Sequence, residues 1–199
     1  MSHWWVMERQ EGTLDVFLPS EAVTRQSSAD GINPSTVRKA LLDGFGNSGV
    51  VFQLVGRDGG ITADPLAQPT DILFWSWVPI FSGKACKLIL ELGGSQADFV
   101  RCEFASRPGD IFFLHLPIHS FDVVDLTTSQ FTMMIPMQPP LPHGIRALGM
   151  RNVPDKLPPC FRLAVPGHNQ VFGDLVVSGV LRAAWNAALL TGAVFRKVA

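Results

Sequence analysis

The chain has 199 residues, of which 47% are hydrophobic and 17% charged, and its formal net charge is −1. A charged share well below the usual ~25% suits a subunit covered by neighbours, or a tightly packed monomer. No Lys/Arg block supports tight electrostatic binding of nucleic acid, which leaves only weak contact with RNA at a concave surface.

Residues 1–30 read as an irregular N-terminal arm. Trp4 and Trp5 open it, Leu14 to Leu18 is one short strand candidate, and polar residues run from Ser20 to Asp30. Met1-Ser2-His3-Trp4-Trp5 has neither the basic nor the apolar part of a secretory leader. No window approaches the ~20 apolar residues of a membrane helix; the nearest, Ile72 to Phe81, contains Pro79. A short helix is predicted from Ser35 to Leu42, with Asn33 or Ser35 as cap, Pro34 near its start, and Gly44 and Gly46 at its end.

Residues 31–199 then read as a single β-rich domain. Short apolar segments between Pro and Gly stops recur along it, the mark of a sandwich or barrel. The predicted strands are Val50 to Val55, Ile72 to Ile80, Ala85 to Leu92, Phe99 to Phe104, Ile111 to Leu116, Phe121 to Leu126 and Phe131 to Met137. Within Ala85 to Leu92, Leu88, Leu90 and Leu92 are expected on one face, with Lys87 and Glu91 on the other. Residues 138–160 hold six prolines, Pro139, Pro140, Pro142, Pro154, Pro158 and Pro159, and read as a long surface loop. Phe161 to Val165 and Phe172 to Val177 return as strands. Val180 to Leu190 is rich in alanine, which favours helix, yet alternates from Leu181 to Leu189; it is assigned to a strand on the strength of its neighbours. The long connections favour Greek-key crossings. The expected fold is all-β, an eight-stranded jelly-roll sandwich with one or two short helices.

Side chains with chemistry are sparse. Cys86, Cys102 and Cys160 match no zinc or redox spacing; Cys86 and Cys102 lie in apolar strand-like runs and read as buried free thiols in a reducing compartment, with one disulfide plus one free thiol as the alternative. His115, His119, Asp122 and Asp125 form the densest polar cluster. With the turn Arg107-Pro108-Gly109-Asp110 and Pro117 before it, this stretch resembles the second motif of cupins, where a His binds metal. The paired histidines of the first cupin motif are absent here, since only His3 precedes His115. His115 and His119 are therefore metal ligands only in an alternative reading, and no cofactor or catalytic residue is expected. Ser82-Gly83-Lys84, Gly56 to Gly60 and Gly93-Gly94-Ser95 lack the surroundings of a phosphate loop and read as hairpin turns. Phe74-Trp75-Ser76-Trp77 could form a stacking platform for sugars or bases, but a buried strand is the simpler reading.

Four stretches resemble coat proteins of plant picorna-like viruses, the comovirus and fabavirus group. Val51-Phe52-Gln53-Leu54-Val55, followed by the Gly turn and Ile61, is similar to the opening strand of such a subunit. Trp77, Ser82-Gly83 and Lys87 to Leu92 are similar to its Trp-x-Ser-Gly motif and the strand after it. Arg107-Pro108-Gly109-Asp110 is similar to a turn ahead of a later strand, and Phe131 to Pro136 to a strand closing on Ile-Pro. The resemblance spans residues 50–137. It implies a structural coat protein, not an enzyme, that assembles with other coat subunits into an icosahedral shell around an RNA genome. It places the chain in the virion, and in the host cytoplasm during assembly, without membrane contact. Trp4, Trp5 and Trp185 are the expected interface anchors. The alternatives are a cupin-type metal enzyme and a carbohydrate-binding or adaptor β-sandwich.

Overall fold

The computed structural model describes residues 3–10, 16–17, 52–56, 70–75, 78–96, 99–104, 107–115, 123–134, 141–151, 157–163 and 174–198. In chain order the strands are β1 (Trp4–Arg9), β2 (Val16–Phe17), β3 (Phe52–Gly56), β4 (Ile72–Trp75) and β5 (Val78–Ser82). Helix α1 (Gly83–Glu91) follows, then β6 (Phe99–Phe104), β7 (Arg107–His115), β8 (Val124–Met134) and β9 (Leu141–Met150). The chain continues with β10 (Cys160–Phe161), β11 (Leu175–Ser178), helix α2 (Gly179–Ala187) and β12 (Ala193–Lys197). The β-rich character expected from the sequence is present, together with two helices. The helix expected at Ser35 to Leu42 lies outside the described residues.

The strands form a four-stranded sheet in the order β10-β11-β1-β12, a six-stranded sheet in the order β2-β3-β6-β7-β5-β4, and a ribbon of β8 and β9. Among the described residues no sheet closes into a barrel. Neighbours pair antiparallel except β3 and β6.

The four-stranded sheet is covered on both faces. Trp4 and Val6 of β1, Val176 of β11 and Phe161 of β10 pack with Val123, Val124, Ile145 and Leu148 of the ribbon region. The intervening residues Met7, Leu175, Val177 and Cys160 enter a second core. There they meet Ala85, Cys86 and Ile89 of α1, Leu181 and Trp185 of α2, and Ile72, Phe74, Phe81 and Phe99 of the six-stranded sheet. Burial on both faces explains why β11 reads as an unbroken apolar run, Leu175-Val176-Val177, instead of alternating.

Several expectations are corrected. Trp4–Arg9 is not part of an irregular arm; it lies between β11 and β12, hydrogen-bonded to both. Ala85 to Leu92 is not a strand. Ser82 caps α1, its hydroxyl accepting the Ala85 N–H at 3.2 Å, and burial falls on Ala85, Cys86 and Ile89, a helical spacing. Val180 to Leu190 is likewise mostly helix, with Ser178 accepting the Leu181 N–H at 3.1 Å. Alternating leucines and alanines were compatible with both periods; the Ser caps decide for helix. Part of the expected 138–160 loop is the strand β9, in which Pro142 pairs with Met133. Ile72 to Ile80 divides into the antiparallel pair β4 and β5. Pro79 falls where β5 has not yet begun pairing with β7, so its missing N–H leaves no gap on that side. The expected strands at Phe121 to Leu126 and Phe131 to Met137 merge into β8, whose pairing with β9 shifts between Asp125 and Gln130. Phe99 to Phe104 has the bounds expected.

Candidate functional site

Of the expected polar cluster the structure describes His115 and Asp125, which lie in different sheets. His115 ends β7 in the six-stranded sheet, opposite Phe99. Asp125 lies on β8 in the ribbon and is occupied locally. Its carboxylate accepts from Thr127 N at 2.9 Å, Thr127 Oγ1 at 2.7 Å and Thr128 Oγ1 at 3.1 Å. The Thr127 hydroxyl and N–H hold this carboxyl below its usual range. His119 and Asp122 lie outside the described residues. Among the described residues no group of three or more His, Cys, Asp or Glu could hold a metal ion.

Two described thiols are buried, Cys86 on α1 and Cys160 on β10. Burial pushes the Cys86 thiol up to about 11, so it is protonated and a poor nucleophile at neutral pH. Cys102 lies on β6.

Ser82-Gly83-Lys84 and Gly93-Gly94, expected as hairpin turns, are the two ends of α1. Gly93 N–H bonds to Leu90 O at 3.0 Å and Gly94 N–H to Ile89 O at 2.9 Å, with Gly93 at φ +98°. Lys84 reaches the neighbouring helix, its Nζ donating to Ala188 O at 2.7 Å at the end of α2.

Two of the three tryptophans expected at subunit interfaces serve the chain's own core. Trp4 packs edge-on against Phe161 at 5.4 Å between ring centroids. Trp185, only 1% exposed, meets Phe81 at 6.1 Å and Phe195 at 6.2 Å. Trp5 alone is partly exposed, and the Arg182 guanidinium lies 3.8 Å from its ring centre. Phe74 is buried, in keeping with a core strand.

Sequence reasoning overlooked Asp71. Its carboxylate accepts from Ser82 Oγ at 2.8 Å and from Thr191 N at 2.9 Å. It thereby joins the cap of α1 to the segment leaving α2. An isolated Asp after Pro and Thr gave no signal beyond a turn.

The described surface also carries large aliphatic side chains: Leu126, Val180, Leu189 and Val194. What the described residues define is a β-rich protein with two capped helices and a surface that leaves aliphatic groups in water. No family model and no curated protein matches the chain.

Proposed function

We propose that the chain is a coat subunit that assembles with copies of itself or close kin into an icosahedral shell around an RNA genome. The observation that carries this reading is the pairing of a 17% charged fraction with exposed Leu126, Val180, Leu189 and Val194. Contacts between like subunits cover such groups, and symmetry multiplies each modest contact over the shell. Two of the four stretches that resemble picorna-like coats overlap strands as expected, Phe52 to Val55 in β3 and Phe131 to Met134 in β8. The other two lend no support, since Arg107 to Asp110, expected as a turn, opens strand β7 and Lys87 to Glu91 is helical.

The proposal extends to topology, two facing leaves of Greek-key strands to which α1 and α2 are additions. It extends to place as well, the virion, with weak contact to packaged RNA. Purified protein examined by light scattering and negative-stain microscopy tests it. Closed particles of uniform size are expected. A chain that stays monomeric at every attainable concentration overturns the reading, and an experimental map of a particle decides the topology separately.

A further inference from the structure

Trp5 lies in β1 with Val177 of β11 directly opposite on one side and Lys197 of β12 directly opposite on the other. Residues paired in this way project to the same face of a sheet. Here it is the face on which α2 packs, since Trp5, Val177 and Phe195 meet Leu181 and Trp185 there. From α2, Arg182 lays its guanidinium 3.8 Å from the centre of the Trp5 ring. Gly179 makes room for this approach: a Cβ there would lie 3.3 Å from His3 O and 3.8 Å from Trp5 Nε1. Lys197 is exposed, and Trp5 and Arg182 are half-buried.

Among the described residues, Trp5 Nε1, the Arg182 guanidinium and Lys197 Nζ have no hydrogen-bond acceptor and no ion-pair partner. Other cations are engaged by the chain itself. Lys87 is paired with Glu91, Arg196 with Glu8, and Lys84 donates to Ala188 O. One spot on the surface thus gathers a guanidinium, an ammonium and an indole N–H, all with donors to offer.

We infer that Trp5, Arg182 and Lys197 form the contact for an unpaired nucleotide of a single-stranded RNA. This rests on the coat reading, which brings RNA against the subunit. A guanidinium stacked on an indole is held as a flat plate. Its N–H groups lie in the plane and reach phosphate oxygens in pairs, while its outer face stacks a base. Lys197 adds a second positive charge for the backbone. An acidic peptide would satisfy the two cations but brings no ring to the stack, so a nucleotide fits better. Two charges and one stacking plate make a weak contact, in keeping with a chain that has no Lys/Arg block.

Fluorescence anisotropy of a labelled oligouridylate tests this, titrated with the full chain below the concentration at which it assembles. R182Q and K197Q are each expected to weaken binding about threefold to tenfold and to reduce the salt slope by about 0.7. K87Q removes a cation already paired on α1 and leaves both unchanged. Unfolding midpoints equal to that of the parent chain show that the variants are folded. Ultraviolet cross-linking should place uridine on the tryptic peptide Met1–Arg9. The contact is overturned if R182Q and K197Q bind as the parent does, or if the parent binds no oligouridylate at low salt. Equal binding of an abasic oligonucleotide or of polyglutamate also overturns it, since the stack then has no part. Particle formation is scored separately. Particles without oligouridylate binding remove this contact and leave the coat reading, whereas binding at Trp5 without particles removes the coat reading alone.

Discussion

Asp71 and Thr191 are 120 positions apart in the chain, yet the Asp71 carboxylate accepts both the N–H of Thr191, at 2.9 Å, and its hydroxyl, at 3.3 Å. The other carboxylate oxygen holds Ser82, and the Asp71 carbonyl accepts the Ser82 N–H at 2.9 Å. One short side chain therefore fastens the start of α1 to the end of α2. Hydrogen bonds to a charged group are worth about 1.5–3 kcal/mol when buried, and these are partly in water. Asp71→Ala is expected to destabilise the fold by about 1–2 kcal/mol in denaturant titration. An unchanged midpoint would refute the clasp.

Gly192 and Gly93 both have positive φ, but their surroundings differ. A Cβ at Gly192 would lie 2.7 Å from Thr70 Cβ and 2.9 Å from Ile72 O, whereas none of the described atoms lies within 4 Å of one at Gly93. Gly93→Ala should cost about 1 kcal/mol for conformation alone. Gly192→Ala should cost about 2–4 kcal/mol, because backbone must move as well. Equal losses in urea unfolding would contradict the packing between Thr70 and β12.

The raised Cys86 thiol makes stability depend on alkaline pH. The unfolded chain releases this proton near the ordinary thiol value and the folded chain only at about 11. The contribution of the buried thiol is therefore complete below the ordinary value and falls away as pH rises toward about 11. Cys86→Ala should flatten the decline in unfolding free energy across that window. A slope identical to that of the parent chain would show that another group is responsible.

Asp125 has the opposite sense. Its folded value is depressed by Thr127 and Thr128, so its contribution is present above the ordinary carboxylate value and is lost as pH falls through the folded one. An NMR titration of its carboxyl carbon should show a midpoint below the usual range, and Thr127→Val should move that midpoint up. A midpoint indifferent to Thr127 would mean that the two hydrogen bonds do not persist in solution.

Much of the β character was legible because strands such as Phe99 to Phe104 alternate cleanly between Gly and Pro stops. The helices were not. In α1 the run Leu88-Ile89-Leu90-Glu91-Leu92 carries a period of two on a segment whose buried residues repeat at three and four. The deciding signal was present in Ser82-Gly83 and Gly93-Gly94, a cap and a stop around nine residues, and it recurs at Ser178-Gly179. The place of Trp4–Arg9 was hidden for another reason. Its partners come from the far end of the chain, and no local pattern reports such pairing. Of the polar cluster near His115, the two described members are divided between sheets, since the fold sends β7 with His115 and β8 with Asp125 to different ones.

That pairing of β1 with β11 and β12 sets an order on biosynthesis. Strand β1 is completed by strands made more than 160 residues later, so Trp4, Val6 and Met7 leave the ribosome long before their partners exist. Until then this apolar ribbon offers two bare edges to any chaperone or neighbouring nascent chain. Closure of the sheet therefore waits for residues 175–197, is slow for its long loop, and a truncation anywhere before residue 175 strands the N-terminal segment without a home.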